Sequence, residues 1–138
     1  MTRYLIDTHI FLWAIDAPEQ LNVEERKVLE DPSVDVAVSA ASFWELSIKL
    51  SKGMLRLRTG ERGIPNDFFA NQADKASFII LPIGAPETEY VRELPRIHGD
   101  PFDRLLVAQA LLGNWKIMTR DRIIADYPGV RVLCSPDR

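Results

Sequence analysis

The sequence predicts an α/β fold in which a parallel β-sheet is flanked by helices on both sides. Short apolar, β-branched runs alternate with helical segments of roughly 10 to 15 residues, a pattern typical of parallel sheets covered on both faces. The 138 residues are enough for one hydrophobic core and too few for two ordinary domains. We therefore expect residues 1–138 to form a single domain, without internal repeats or linkers.

The first half of the chain contains two predicted strands, RYLID and VDVAVS, and three helical segments. IFLWAI is expected to form buried helical turns that end before Pro18. NVEERKVLED predicts an exposed helix, with Asn22 as the N-cap and Glu25 three positions on. SAASFWELSIKLSKG predicts a helix that begins after Ser39 and ends near Gly53, where a left-handed residue is expected.

The second half begins with MLRLR, whose alternation fits a strand, a hairpin or an extended loop. IPNDFFANQADKA predicts a helix with Pro65 near its first turn, and APETEYVREL predicts a helix opened by Pro86. FIILPI between them predicts a continuous strand buried on both faces. DPFDRLLVAQALLG predicts the longest helix, ending at Gly113. KIMT and VRVLC are the last two predicted strands, separated by a turn and a short helix in RDRIIADYPG.

The composition indicates a globular protein, because 46% of the residues are hydrophobic and 27% are charged. The single cysteine, Cys134, excludes an internal disulfide and a cysteine-based metal cluster. No apolar run approaches the roughly 18 residues of a membrane helix. A secretory signal is rejected because Asp7 interrupts the first apolar run and no small-residue cleavage site follows Trp13. We expect a cytoplasmic protein with no membrane partner.

The net charge of −3 does not by itself suggest a nucleic-acid binder, but the charges are unevenly distributed. The basic segment, from Lys49 to Arg62, contains five basic residues against only Glu61. Such a segment is either a solvated face or a patch that attracts phosphates on an otherwise acidic protein.

Four carboxylates from separate parts of the chain are expected to meet at one edge of the sheet, because ligands bind at the carboxyl ends of parallel strands. Asp7 ends the first strand and Asp121 follows KIMT by two residues. Asp103 lies in the first turn of a helix that opens on the same rim, and Glu45 lies in the helix after VDVAVS. Singly, Asp7 could start a loop, Asp121 could cap a turn, and Glu45 could pair with Lys49 at i,i+4. Their joint placement favours a shared site.

The stretch HGDPFDRLLVAQA contains two acids with different predicted roles. Asp100 precedes Pro101, which is a standard start for a helix capped by a carboxylate. Between positions 104 and 114 the only polar side chain is Gln109, so this helix is expected to be buried on most sides. Asp103 then faces the interior, where a carboxylate must be paired, hydrogen-bonded, protonated or bound to a metal. We predict that Asp100 caps the helix and that Asp103 coordinates a cation.

Crowded carboxylates raise one another's pKa unless a cation lies among them. Oxygen ligands without histidine or cysteine suit Mg²⁺ or Mn²⁺ rather than zinc, and such an ion can activate water for attack on a phosphodiester. His9 and His98 have no partner at i+4 and belong to no motif, so neither a zinc site nor a triad is favoured. We expect His9 at a helix start beside Asp7, and His98 in a loop near Asp100.

Four ordered motifs, YLIDTHIFLWAI, FWELSIK, HGDPFDRLLVAQA and IMTRD, resemble those of the PIN-domain ribonucleases, particularly the VapC-type toxins of type II toxin–antitoxin pairs. The resemblance extends from Tyr4 to about Leu133. It implies a PIN-like fold and an endoribonuclease that uses Mg²⁺ or Mn²⁺ to hydrolyse single-stranded or looped RNA. It also implies a homodimer and a cognate antitoxin whose C-terminal segment enters and blocks the acidic pocket.

The resemblance places the four family acids at Asp7, Glu45, Asp103 and Asp121, and the family's small hydroxyl residue at Thr119. Asp7 and Asp103 are then expected to bind the principal metal, and Asp121 to complete its site or bridge to a second ion. Glu45 would orient a water or act as a weaker ligand. Thr119 would hydrogen-bond to Asp7 or to a water and hold it in place.

Contacts to RNA phosphates are assigned as candidates to Arg104, Arg120 and the basic segment. A phosphatase with an aspartyl nucleophile is not favoured, because it needs a second acid two residues after Asp7, where His9 stands. The remaining alternative is a non-catalytic PIN-like module that binds RNA or protein. Retention of all four acids speaks against it, since an inactive scaffold has no need to confine so much negative charge.

Overall fold

The computed structural model describes residues 2–58 and 63–134 and contains a five-stranded sheet in which all neighbouring strands are parallel. The strands are β1 (Arg3–Ile6), β2 (Asp35–Ser39), β3 (Ile79–Leu81), β4 (Lys116–Thr119) and β5 (Arg131–Cys134). Their order across the sheet is β3-β2-β1-β4-β5. The predicted α/β fold with a parallel sheet is confirmed.

Six α-helices occur in the described ranges, together with three short 3₁₀ turns. The helices are α1 (Thr8–Asp16), α2 (Val23–Glu30), α3 (Ala40–Ser51), α4 (Phe68–Lys75), α5 (Ala85–Tyr90) and α6 (Pro101–Gly113). The 3₁₀ turns are Pro18–Gln20, Val91–Glu93 and Ile124–Asp126. None of the helices described is both long and apolar enough to cross a membrane.

The predicted helix ends are confirmed by their hydrogen bonds. The Asn22 side chain accepts the Glu25 N–H at 2.8 Å, and Glu25 Oε1 accepts the Asn22 N–H at 2.9 Å, which completes a capping box. Ser39 Oγ accepts a backbone N–H in the first turn of α3 at 3.0 Å. Gly53 follows α3 with φ +68°, the left-handed backbone that glycine adopts without a Cβ penalty.

Both faces of the sheet are covered, because successive strand side chains enter different cores. Leu5 and Ile6 of β1 are both fully buried, yet they belong to two separate apolar clusters. Members of the Ile6 cluster include Phe11, Leu46, Phe69 and Phe78. Members of the Leu5 cluster include Leu106, Val107, Ile117 and Tyr127.

The prediction for FIILPI is wrong in its burial. The strand formed there, β3, is only three residues long and lies at the edge of the sheet, where it pairs with β2 alone. Ile79 is 43% exposed as a result. An apolar run therefore indicated a strand correctly, but the strand order, which places β3 at the edge, decides how much of it is buried.

The extended-loop alternative for MLRLR is confirmed, and one helix begins later than predicted. Residues 54–57 of MLRLR form no strand, so the extended-loop alternative holds there. Helix α4 begins at Phe68 rather than near Pro65, because residues 65–68 form a turn in which Pro65 O accepts the Phe68 N–H at 3.1 Å. In the first turn of α4, Phe69 packs into the core against Phe11 and Phe43, with ring centroids 6.3 and 6.2 Å from its own.

The strand order creates a crevice at the carboxyl ends of β1 and β4. The sheet runs from β1 toward β2 and β3 on one side and toward β4 and β5 on the other. The segments that follow β1 and β4 pack on different faces of the sheet, with Phe11 in one cluster and Ile124 in the other. Open α/β sheets bind ligands at such a point. The backbone N–H of Asp7 donates to Met118 O at 3.0 Å, which ties the end of β1 to β4 at the crevice.

Candidate functional site

An acidic cleft with a volume of about 380 Å³ opens at this crevice. Its walls include all four predicted acids and Asp100; the carboxylates are Asp7, Glu45, Asp100, Asp103 and Asp121. The predicted convergence of carboxylates from four parts of the chain is therefore present. The volume lies within the range of small-ligand sites, about 300 to 1,000 Å³.

The two carboxylate oxygens of Asp7 have different hydrogen-bond partners. Its Oδ1 accepts the Ile10 N–H at 2.9 Å and so caps α1, while its Oδ2 accepts a short hydrogen bond from Thr119 Oγ1. Thr119 Oγ1 also accepts the Asp121 N–H at 2.9 Å. The predicted hydrogen bond between Thr119 and Asp7 is thus present, and the fully buried threonine links two of the acids.

Burial raises the pKa of Asp7 above its usual range, and this effect is larger than any other at this carboxyl. Hydrogen bonds from Thr119 and the Ile10 backbone act in the opposite direction, as does the nearby charge of His9. The negative charge of Asp121 raises the pKa of Asp7 further. Asp7 and Asp121 therefore lie within each other's electrostatic field.

Asp100 and Asp103 take the roles predicted for a cap and an inward carboxylate. Asp100 Oδ1 accepts the N–H groups of Phe102 and Asp103 at 2.8 and 3.3 Å. The Asp103 side chain is mostly buried, and burial raises its pKa to about 7. The charge of Asp100 adds to this rise, the neighbouring His98 opposes it, and the charges of Asp7 and Glu45 add smaller increments. Burial is thus the main cause of the raised pKa of Asp103, and the like charges of the acidic cleft add to it.

The raised pKa predicts how Asp103 affects stability when a chelator removes metal ions. The folded pKa of about 7 exceeds the ordinary 3.8, so protonation of this carboxyl stabilises the fold. That contribution is full below about pH 3.8 and is lost as the pH rises through about 7. We expect Asp103→Asn, which stays neutral, to become progressively more stable than wild type between these limits, as measured by urea denaturation with EDTA.

The matched control is Asp74→Asn, which removes an exposed carboxylate on α4, away from the acidic cleft. Its stability difference from wild type should show no comparable growth with pH. A constant offset between Asp103→Asn and wild type over the whole pH range would contradict the crowding of charge inferred for the cleft.

Glu45 is more buried than the carboxylate of an ordinary surface ion pair. Its side chain is paired with Lys49 at 3.1 Å, as the i,i+4 spacing predicts, but Glu45 itself is only 8% exposed. The hydroxyl of Thr8 donates to Glu45 Oε1 at 2.8 Å and lies 2.9 Å from Ser42 Oγ. Thr8 was not singled out in the sequence; its position directly after Asp7, at the start of α1, was the available signal.

His98 lies in a loop near Asp100, as predicted, and it also contacts two of the cleft acids, which was not predicted. Its Nδ1 does accept the Asp100 N–H at 3.1 Å, but its Nε2 lies 3.1 Å from Asp103 Oδ2 and 3.1 Å from Asp121 Oδ2. The His98 nitrogen and the two carboxylate oxygens lie within 4.8 Å of one another, close enough to surround one cation. No sequence spacing indicates this contact, because it joins a loop to the end of β4. His9 is exposed at the start of α1 beside Asp7, as predicted.

The two arginines proposed to contact RNA phosphates have structural partners. Arg104 donates to the carbonyl oxygens of Pro95 and Val91, both at 2.8 Å, so its guanidinium anchors the loop before α6. Arg120 lines the acidic cleft but forms an ion pair with the fully buried Glu25 at 2.7 Å. The sequence does not show these uses, since each pairs residues from different elements.

The basic segment is partly neutralised by nearby acids. Arg58 forms a two-point ion pair with Glu19, at 2.8 and 2.6 Å, and Lys49 is paired with Glu45. Lys52 and Arg56 are exposed. Positions 59–62, which include Glu61 and Arg62, lie outside the described residues.

Comparison with known proteins gives concordant similarities over nearly the whole chain. Residues 4–130 match the family model described as PIN domain. Ribonuclease VapC22 from Mycobacterium tuberculosis is 29% identical over 130 residues, which cover 92% of this chain and 93% of the relative.

Two solved structures share the fold. VapBC2 from Rickettsia felis, bound to a DNA fragment from its promoter, has a TM-score of 0.71 at 18% identity and covers 97% of this chain and 99% of its own. A toxin–antitoxin complex from Klebsiella pneumoniae has a TM-score of 0.60 at 20% identity, covering 94% and 95%. At these identities the structural likeness concerns the fold alone.

Proposed function

This chain belongs to the PIN domain family, and from that premise we propose that it is a metal-dependent endoribonuclease, the toxin of a toxin–antitoxin pair. The proposal treats residues 1–138 as one PIN domain. It is supported by the relative, which is named a ribonuclease. It is also supported by the two structural neighbours, each of them a toxin–antitoxin assembly.

The observation that carries the proposal is the meeting of Asp7, Glu45, Asp103 and Asp121 in the acidic cleft. The cleft concentrates buried or half-buried negative charge, and the pKa values of Asp7 and Asp103 are raised in consequence. Maintaining this arrangement costs stability, since each carboxylate is removed from water near others of the same sign. Such a cost is typical of sites whose charges are used for binding or catalysis.

The donors in the cleft fit a hard divalent cation. Carboxylate oxygens predominate, which favours Mg²⁺ or Mn²⁺ over zinc. In this proposal Asp7 and Asp103 hold the principal ion, Asp121 completes its site or bridges to a second, and Glu45 is a weaker ligand or orients a water. When bound, the ion would supply Lewis-acid polarisation of the phosphodiester and acidify water for the attack.

The chain's own residues hold these carboxylates in place. Thr119 fixes Asp7 Oδ2 by its hydroxyl and fixes the Asp121 backbone by accepting its N–H. Glu45 is held by the Thr8 hydroxyl on one oxygen and by Lys49 on the other. Fixed orientation of each oxygen is what a metal site and the positioning of a water both require.

Binding of RNA in this proposal relies on few cations. Lys49 lines the acidic cleft, where it would offset part of the charge of a phosphate bound there. Lys52 and Arg56 on the basic segment are exposed and suited to neighbouring phosphates. Arg104 is not among these phosphate contacts, because its guanidinium anchors the loop before α6.

The proposed partners are a cognate antitoxin and a second copy of the chain. The antitoxin would block the acidic cleft, where a basic side chain would find complementary charge. The homodimer would use large apolar side chains exposed on α3 and α6, for which Trp44 and Leu112, 57% and 48% exposed, are candidates.

The function is tested by sequencing the ends of cellular transcripts after brief expression of the wild-type chain beside Asp7→Asn. We expect wild type to create new ends at a limited set of positions in one class of RNA, and the variant to create none. Identical end profiles in the two strains would contradict the proposal. The experiment also identifies the RNA target, which depends on shape and unstacked bases rather than on a readable code.

A non-catalytic RNA- or protein-binding module is the alternative, and metal-linked stability distinguishes it. A divalent ion that binds only the folded protein adds about 2.7 kcal/mol of stability at a concentration 100 times its dissociation constant. We expect millimolar Mn²⁺ to raise the melting temperature of wild type. A variant with all four acids changed to their amides should show no shift, and equal shifts in the two proteins would contradict a metal site in the acidic cleft.

A further inference from the structure

His98 is placed between two of the carboxylates that the proposed function assigns to metal binding. Its Nε2 is 3.1 Å from Oδ2 of Asp103, on α6, and 3.1 Å from Oδ2 of Asp121, after β4. The histidine and Asp103 side chains are each 19% exposed, so water competes little for these contacts. One imidazole nitrogen therefore bridges acids contributed by two separate elements.

The hydrogen bond at Nδ1 determines which ring nitrogen of His98 carries the proton. Nδ1 accepts the backbone N–H of Asp100 at 3.1 Å, which requires a lone pair on Nδ1. The ring proton of the neutral imidazole is then on Nε2, and this N–H is shared between the two carboxylate oxygens. Ligation of a cation by Nε2 would need the proton on Nδ1 instead, where it would face the Asp100 N–H.

The loop that carries His98 is held by buried and anchored groups. The hydroxyl of Tyr127, a residue only 2% exposed, accepts the backbone N–H of His98 at 2.9 Å. Arg104 binds the carbonyl oxygens of Pro95 and Val91 in the segment before it. The ring position is thus fixed from the backbone as well as through Nδ1.

We propose that His98 is a positioning residue that holds Asp103 and Asp121 at the spacing of the cation site by a shared Nε2–H donor, and that it is not itself a metal ligand. This inference rests on the proposed function of the acidic cleft. It explains how two like charges are kept together before an ion arrives, since the shared N–H partly offsets their repulsion.

The tautomer is tested directly by long-range ¹H–¹⁵N correlation spectra of the full chain, recorded with EDTA and again with Mg²⁺. We expect the cross-peak pattern of an Nε2–H, Nδ1-acceptor imidazole for His98 in both states. Loss of the Nε2 proton in either state would overturn the proposal, because it would free Nε2 to ligate the ion.

The positioning role is tested by Mn²⁺ titration calorimetry on His98→Gln and His98→Leu, with wild type as reference. Groups that orient metal ligands typically contribute 10- to 100-fold to affinity. We expect the Leu variant, which fills similar space without a donor, to weaken Mn²⁺ binding by about 10- to 100-fold. The Gln variant retains an N–H donor and should recover most of the loss.

The outcomes separate this inference from the proposed function. Equal Mn²⁺ affinity in the Leu variant and wild type would overturn the role of His98 while leaving the metal site intact. Weak binding in both variants, with no recovery by Gln, would also overturn it, since the shared donor would not be the cause. Absence of Mn²⁺ binding by wild type would remove the proposed function, and this inference with it.

Discussion

Replacing Asp7 with asparagine is expected to reduce RNA cleavage by about 10³-fold or more, while the protein stays folded. Asn keeps an Oδ1 to accept the Ile10 N–H, so α1 retains its cap, and it keeps a polar group beside Thr119. What it loses is the buried negative charge. The measurement is the initial rate of cleavage of the transcript identified by end sequencing, with the melting temperature as the check on folding.

Adding Asp103→Asn to Asp7→Asn should lower the rate little further, because carboxylates that act on one ion fail as a unit. The single Asp103→Asn variant is expected to be nearly as inactive as Asp7→Asn. A double variant that is far slower than either single variant would show that the two acids act independently, and would count against a shared site.

Glu25→Ala is expected to reduce the free energy of unfolding by about 3 to 5 kcal/mol. Glu25 is fully buried, and both of its oxygens contact Arg120, at 2.7 and 3.0 Å. Its Oε1 also accepts the Asn22 N–H, which completes the cap of α2. The substitution leaves a mostly buried guanidinium whose charge that carboxylate no longer offsets, and it removes the reciprocal half of the capping box.

Urea denaturation measures this effect, and Glu24→Ala is the matched control. Glu24 lies on the same turn of α2 but is exposed, so its loss should change stability by no more than about 0.5 kcal/mol. Similar midpoints for the two variants would show that the Glu25–Arg120 pair contributes little. Because Arg120 also lies over the Trp13 ring at 4.6 Å, beside Asp121, the pair supports the rim of the acidic cleft as well.

The fold was predictable from the sequence where one local signal was decisive. Asn22 and Glu25 specify a capping box, Ser39 specifies the start of α3, and the apolar run after Asp100 specifies α6. The alternation of strands with such helices is sufficient to predict a parallel sheet. The burial of β3 was not predictable, since Ile79 becomes exposed only because the strand order places it at the edge.

The candidate site was likewise predictable from the sequence only in part. Asp7 and Asp121 could be placed at one rim because both follow parallel strands, and Asp103 because its helix has no polar face. The contact of His98 with Asp103 and Asp121 could not be predicted, because it depends on how the loop before α6 folds back over the end of β4. The engagement of Arg120 by Glu25, 95 positions away, is equally invisible to local patterns.

Carboxylates distant in the chain are proposed to share a divalent ion, and anomalous diffraction from crystals soaked in Mn²⁺ would locate that ion. We expect a manganese peak in the acidic cleft, contacted by oxygens of Asp7 and Asp103, and no such peak in crystals of Asp7→Asn. A cleft without a peak at saturating Mn²⁺, with the Asp7 and Asp103 side chains apart and turned to solvent, would contradict it.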